Sequence, residues 1–141
     1  MSLFKTDDSP RFSNKSHLSA HLNYLFRTDK DQKWTNEYTD NNILFTFTEE
    51  GKVDHDLLDS PEKRKELRDM FYEYLSEIPL DQLRMVRMEC TDDSDCFDDE
   101  MFKDMFKTMM NMHQVFPVLL FVIHVDQPDN YCHYHAIICV R

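Results

Sequence analysis

Glycine is almost missing from this chain: Gly51 is the only one in 141 residues. A phosphate-cradling P-loop and the fingerprint of a dinucleotide-binding turn each need several glycines, so both are excluded. The four cysteines, Cys90, Cys96, Cys132 and Cys139, show no CxxC spacing, and the last two differ in parity along one strand-like stretch. Disulfides are therefore not expected, and a reducing, cytoplasmic setting is. No apolar run reaches the ~20 residues of a membrane span, and no basic-then-apolar leader opens the chain, so no membrane partner is expected. Bases are also in the minority, with 16 Lys and Arg against 27 Asp and Glu and a net charge of −11. That balance ordinarily argues against nucleic-acid binding. The shortage is uneven, however. Residues 1–33 hold six bases and four acids, whereas the remainder holds ten and 23. A polyanion would have to meet the N-terminal part.

What is present describes one globular domain over residues 1–141. Apolar residues make up 41 % of the chain, with 11 Phe and 6 Tyr, enough for a core. The chain stops at Arg141, one residue past an apolar strand, which raises the expectation of a longer protein. Leu18, Leu22, Leu25 and Phe26 recur at helical spacing behind Ser16, a residue suited to an N-cap, and predict an amphipathic helix over 17–27. His17, His21 and Tyr24 share a face beside that stripe; packing with a wet hydroxyl is the plainer reading of Tyr24. Residues 28–41 form a polar loop in which Trp34 and Tyr38 either stack on bases or pin the loop to the core.

Ile43 to Thr48 reads as a strand closed by a turn at Glu50-Gly51. Ser60-Pro61-Glu62 opens a helix that runs to Pro79, by its cap, its early proline and an acid at the positive end of the dipole. A strand over 83–90 follows, with Val86, Met88 and Cys90 expected inward and Arg87 and Glu89 outward. Eight acids crowd residues 89–104, ahead of a Met-rich helix over 98–113 whose stripe reads as core. Strands over 117–125 and 132–140 end the chain. The expected fold is α+β: a single central, mainly antiparallel sheet covered by helices, one layer of each.

The last two strands carry the chemistry. They flank a polar loop containing Pro128, Asp129 and Asn130, the pattern of a hairpin. His133 and His135, two apart, share a face, and a hairpin centred on that loop sets His124 opposite His133. Cross-strand neighbours have Cβ atoms only ~5 Å apart, so three imidazoles converge. Among Ile, Val and Ala neighbours such rings need satisfaction, either from a metal ion with an open coordination position or from hydrogen bonds within a core.

His-x-His on a central strand with a third histidine on the strand before it resembles the metal site of the HUH endonucleases. Only six residues follow His135, so a tyrosine nucleophile must come from upstream, which is the order of the plasmid relaxases (mobilisation proteins). The stretch His21-Leu22-Asn23-Tyr24-Leu25-Phe26-Arg27 resembles the N-terminal helix of that group, and Ile123-His124-Val125-Asp126 with His133-Tyr134-His135-Ala136 resembles its histidine segment; the two blocks cover about 30 residues. The acidic balance and residues 43–80 depart from the pattern. The resemblance implies an HUH-relaxase-like fold and a single-stranded DNA nickase and strand transferase. His124, His133 and His135 would hold Mg²⁺ or Mn²⁺, with Zn²⁺ or Ni²⁺ also welcome, and Tyr24 would attack with help from His21. Asp126 or Asp92 would orient a ligand histidine, Glu89 being disfavoured by its parity. Arg27, Lys30, Lys33 and Trp34 would bind DNA, with accessory DNA-processing proteins as further partners. The competing expectation, from a different class, is a non-catalytic metal- or partner-binding adaptor.

Overall fold

The computed structural model describes residues 11–28, 42–47, 53–89, 99–126 and 131–140. Five strands and three helices alternate along them: α1 (Lys15–Leu25), β1 (Ile43–Phe47), β2 (Val53–Leu57), α2 (Pro61–Ser76), β3 (Leu83–Glu89), α3 (Asp99–Val115), β4 (Val118–Asp126) and β5 (Tyr131–Cys139), with a 3₁₀ turn at Leu80–Gln82 before β3. The strands form one sheet in the order β2-β1-β4-β5-β3, and every neighbouring pair is antiparallel. The architecture is α+β, as expected.

Helix starts follow local hydrogen bonding. The Ser60 hydroxyl accepts the Lys63 N–H at 3.1 Å, and Pro61 occupies the first turn, where its missing N–H costs nothing. At α1 the cap is Asn14, not Ser16: its side-chain oxygen accepts the His17 N–H at 2.8 Å. Both residues are good caps. The helix simply begins two residues earlier, which brings Ser16 inside it.

The expectation of one helical layer is corrected. Pairwise antiparallel neighbours make β2, β3 and β4 run the same way, so the β2-α2-β3 connection crosses the whole sheet and β3-α3-β4 crosses back. Crossovers of one hand that travel in opposite directions must pass over opposite faces. Accordingly, α1 and α2 cover one face and α3 the other. On the α3 face Met109 and Met112 pack with Phe45, Phe121, Ile123, Tyr134 and Ile138, and Phe121 stacks on Tyr134 at 4.8 Å. From Met105 to Met112 the expected methionine stripe is therefore core. On the other face Leu18, Leu22, Leu25 and Phe26 of α1 and Leu75 of α2 cover Leu44, Leu120, Val122 and Ile137. Arg68 of α2 donates to the Ser19 carbonyl of α1 at 3.1 Å and ties the two helices together.

A bulge at the start of β4 sets the faces. Val118 pairs with Ile138 and Leu120 with Ile137, leaving Leu119 extra. Val118 and Leu120, two apart, therefore reach opposite cores. Past the bulge the alternation is regular, so His124 shares the α1 face with Leu120 and Val122.

β2 was not expected. Val-Asp-His-Asp-Leu pairs along its whole length with β1 and, among the described residues, has no other neighbour; as an edge strand it carries exposed acids that discourage further pairing. The turn expected at Glu50-Gly51 lies outside the described residues, as does Cys90. Among the described residues no helix is long and apolar enough to cross a membrane.

Candidate metal centre

The register pairs His124 directly with His133, and Val122 with His135. On the far side of β5, Arg87 pairs with His135 and Glu89 with His133. Two rows thus cross one end of the sheet on its α1 face: Val122, His135, Arg87 and, beside it, His124, His133, Glu89. Arg87 is exposed, as expected, although its register position puts it on the histidine side of the sheet; of Glu89 only the strand position is described.

All three imidazoles are buried, with exposures of 0 %, 3 % and 3 % for His124, His133 and His135. One ring nitrogen from each lies within 4.8 Å of the others. The His124 Nε2 stands 2.7 Å from the Leu25 carbonyl, which can only accept, so Nε2 carries the proton. The lone pair of His124 is then on Nδ1, which faces His133 Nε2 at 3.3 Å. Two nitrogens on a tetrahedral ion with bonds of ~2.05 Å stand about 3.3 Å apart, so this pair already has a ligand spacing. His135 Nε2 is buried with no hydrogen-bond partner. An orphaned imidazole nitrogen beside a lone pair at coordination distance fits a bound cation.

Burial also keeps these rings neutral. Desolvation pulls His124 well below the ordinary imidazole range, His133 to about 4 and His135 to about 2. The positive charges of Arg27 and Arg87 push His133 and His135 further down, and Arg27 also acts on His124. At neutral pH the three rings are uncharged, so no imidazolium proton has to be lost before a cation binds.

α1 closes the site from above. Tyr24 is half-buried, and its ring stands edge-on to His124 at 5.8 Å and to His135 at 5.3 Å. His21 lies 6.2 Å from His135 and 6.5 Å from Tyr24, ring centre to ring centre. Its Nε2 is buried without a partner, and burial, then the His17 charge, lowers it to about 4. Thr28 N–H donates to the Asn23 carbonyl at 2.8 Å and Arg27 N–H to the Tyr24 carbonyl at 3.3 Å. These are the paired bonds of a Schellman cap, whose left-handed position usually goes to glycine. Here it is Arg27, at φ 55°, a conformation that costs a residue with a Cβ roughly 1–2 kcal/mol. Arg27 is nonetheless buried, and its guanidinium carbon sits 5.3 Å above the Tyr24 ring.

Of the expected site residues, His21, Tyr24, Arg27, His124, His133 and His135 come together at one point. Asp126 ends β4 two positions past His124 and pairs with Tyr131; only that strand position is described. Asp92, Lys30, Lys33 and Trp34 lie outside the described residues, with Tyr38 and most of the acidic run. His124 is oriented by the main-chain carbonyl of Leu25, a partner that was not expected. That carbonyl is one of those a helix C-terminus leaves unpaired. Arg87 was also missed, although its register opposite His135 follows once β3 is paired with β5. No family model, curated protein or solved structure matches the chain.

Proposed function

We propose that this chain is a metal-dependent single-stranded DNA nickase and strand transferase of the HUH-relaxase type. The observation that carries the reading is the stacking order at the site: three buried neutral imidazoles, the Tyr24 ring against two of them, and the Arg27 cation over that ring. A metal centre alone has no need of a phenol and a guanidinium. Phosphodiester transfer uses all three.

His124, through Nδ1, with His133 and His135 would hold one divalent ion. Such an ion acts as a Lewis acid on a non-bridging phosphate oxygen. Three nitrogen donors suit Mn²⁺, Zn²⁺ or Ni²⁺ better than Mg²⁺, which demands oxygen ligands, so Mn²⁺ is the ion of choice within the pair that the resemblance implies. The Tyr24 phenol oxygen attacks phosphorus in line, and the bond from phosphorus to the 3′ oxygen breaks. The products are a 5′-phosphotyrosyl protein and a free 3′-hydroxyl. A phenol is mostly protonated at neutral pH and needs a base. His21, neutral and with an unpartnered Nε2 beside Tyr24, is suited to take that proton; the departing 3′ oxygen gains one from solvent. Arg27, with Lys30, Lys33 and Trp34, would receive the strand on the less acidic N-terminal part. A cytoplasmic enzyme working with accessory DNA-processing proteins is the setting this implies.

The net charge of −11 favours a second reading, a non-catalytic metal- or partner-binding adaptor. Mixed single-stranded oligonucleotides incubated with protein and Mn²⁺ separate the two. The nickase yields a slower-migrating covalent species on a denaturing gel, lost with EDTA and in Tyr24→Phe. No adduct under any divalent ion leaves the adaptor, and an adduct that persists in Tyr24→Phe rejects the nucleophile.

A further inference from the structure

The C-terminus of α1 is closed partly by its own chain and partly by the sheet. The Phe26 N–H completes the last regular turn on the Leu22 carbonyl at 2.9 Å. Beyond it, the Asn23 carbonyl accepts the Thr28 N–H at 2.8 Å and the Tyr24 carbonyl accepts the Arg27 N–H at 3.3 Å. The next carbonyl, that of Leu25, accepts the Nε2–H of His124 on β4 at 2.7 Å. Leu25 and His124 are both at 0 % exposure, so opening this bond leaves a buried donor and a buried acceptor with no water to replace it.

The other nitrogen of the same ring, Nδ1, faces His133 Nε2 at 3.3 Å. One imidazole thus joins the helix end to the cation site. A cation on Nδ1 withdraws electron density and makes Nε2–H a stronger, charge-assisted donor. A carbonyl on Nε2–H works the other way and makes Nδ1 a more basic ligand. The helix C-terminus also carries partial negative charge, which favours a cation across the ring. Tyr24, one residue before Leu25, rides on this helix end with its ring against His124 and His135.

We propose that the main chain of Leu25 is a positioning group that couples the seating of α1 to the cation. The ion held by His124, His133 and His135 fastens the end of α1, and the seated helix in turn tightens the ion. Tyr24 is thereby held more firmly over the histidines when the site is loaded. The inference rests on the metal-centre reading and adds regulation to it. Such coupling is reciprocal: whatever unseats α1 must weaken the ion.

Two measurements on the whole chain test this. The first follows the His124 Nε2–H by ¹⁵N-edited NMR as Zn²⁺ is added; the proton is expected to move downfield and to exchange more slowly with solvent. The second compares Leu25→Ala with Leu75→Ala by Mn²⁺ titration, read by electron paramagnetic resonance of free Mn²⁺. Both delete a fully buried leucine from the same core, one on α1 and one on α2, and both leave the histidines and the carbonyl at position 25 in place. Leu25→Ala is expected to weaken Mn²⁺ binding by about 5-fold or more, and Leu75→Ala to leave it near the wild-type value. Melting in chelator checks that each variant is folded, with Leu25→Val and Leu75→Val as the milder pair should alanine fail. An Nε2–H that ignores Zn²⁺, or affinity equal in the two variants, overturns the inference and keeps the metal centre. No cation binding removes both. Coupling without a DNA adduct keeps the inference and removes the nickase.

Discussion

Replacing His135 by leucine distinguishes a metal centre from a polar core by the sign of its effect. In chelator, the wild-type His135 Nε2 is buried without a partner, a situation worth about 1–3 kcal/mol of lost stability. Leucine is similar in size, brings no polar atom, and would meet Val122 across the strand pair. The metal-free variant is therefore expected to be more stable than wild type by roughly 1–2 kcal/mol once imperfect packing is allowed for. For 141 residues the unfolding entropy near the midpoint is about 0.3 kcal/mol per degree, so the midpoint should rise by roughly 3–7 °C. With Mn²⁺ or Zn²⁺ at about 100 times its dissociation constant, wild type gains about 2.7 kcal/mol, or roughly 9 °C. The variant, one ligand short, should gain little. The order of the two proteins thus inverts between chelator and metal. Thermal unfolding followed by circular dichroism reads both conditions. A variant that is the less stable protein in chelator, while both rise alike with metal, would show the histidines to be ordinary core and refute the argument.

Acid should loosen the metal-free protein. His21, His133 and His135 are held below the unfolded value near 6.5, to about 4, 4 and 2. Between those values the unfolded chain binds more protons, so stability rises with pH and is lost on acidification from about 6.5 downward, by up to ~1.4 kcal/mol per unit for each such ring; urea midpoints from pH 7.5 to 4.5 would test it, and a flat profile would contradict it. Ser60→Ala removes the acceptor for the Lys63 N–H and should cost about 1 kcal/mol by urea denaturation, with Ser60→Thr largely neutral. Phe121→Ala empties the fully buried position between Phe45 and Tyr134. It should cost about 3–5 kcal/mol, and a loss below ~1 kcal/mol would mean that the α3 face is not packed as described.

The pairing of His124 with His133 was legible because two apolar runs flank a short polar loop, and antiparallel geometry then leaves little choice of partner. The helix at Pro61 was legible because cap, proline and acid agree. β2 was hidden by its position: an edge strand meets one neighbour only, so Asp54, His55 and Asp56 carry no alternating pattern. The second helical layer follows from the direction of the connections, which is a property of the sheet order and not of any one segment. Leu25 as the partner of His124 could not be read at all, because a main-chain carbonyl leaves no trace in residue type. The left-handed Arg27 was invisible for the opposite reason: the preference for glycine there is strong enough that its violation is unexpected.

The extra residue at Leu119 has a consequence for how the chain tolerates changes of length. Deleting Leu119 would give a plain ladder in which Val118 still meets Ile138 and Leu120 still meets Ile137, with every histidine left on its own side. A deletion three residues later, at Val122, would instead turn the strand's side chains over and carry one ring of the triad away from the other two. The start of β4 thus behaves as a slack coupling that can take up a gained or lost residue. Insertions arriving from the α3 end can be absorbed there before they reach the imidazoles.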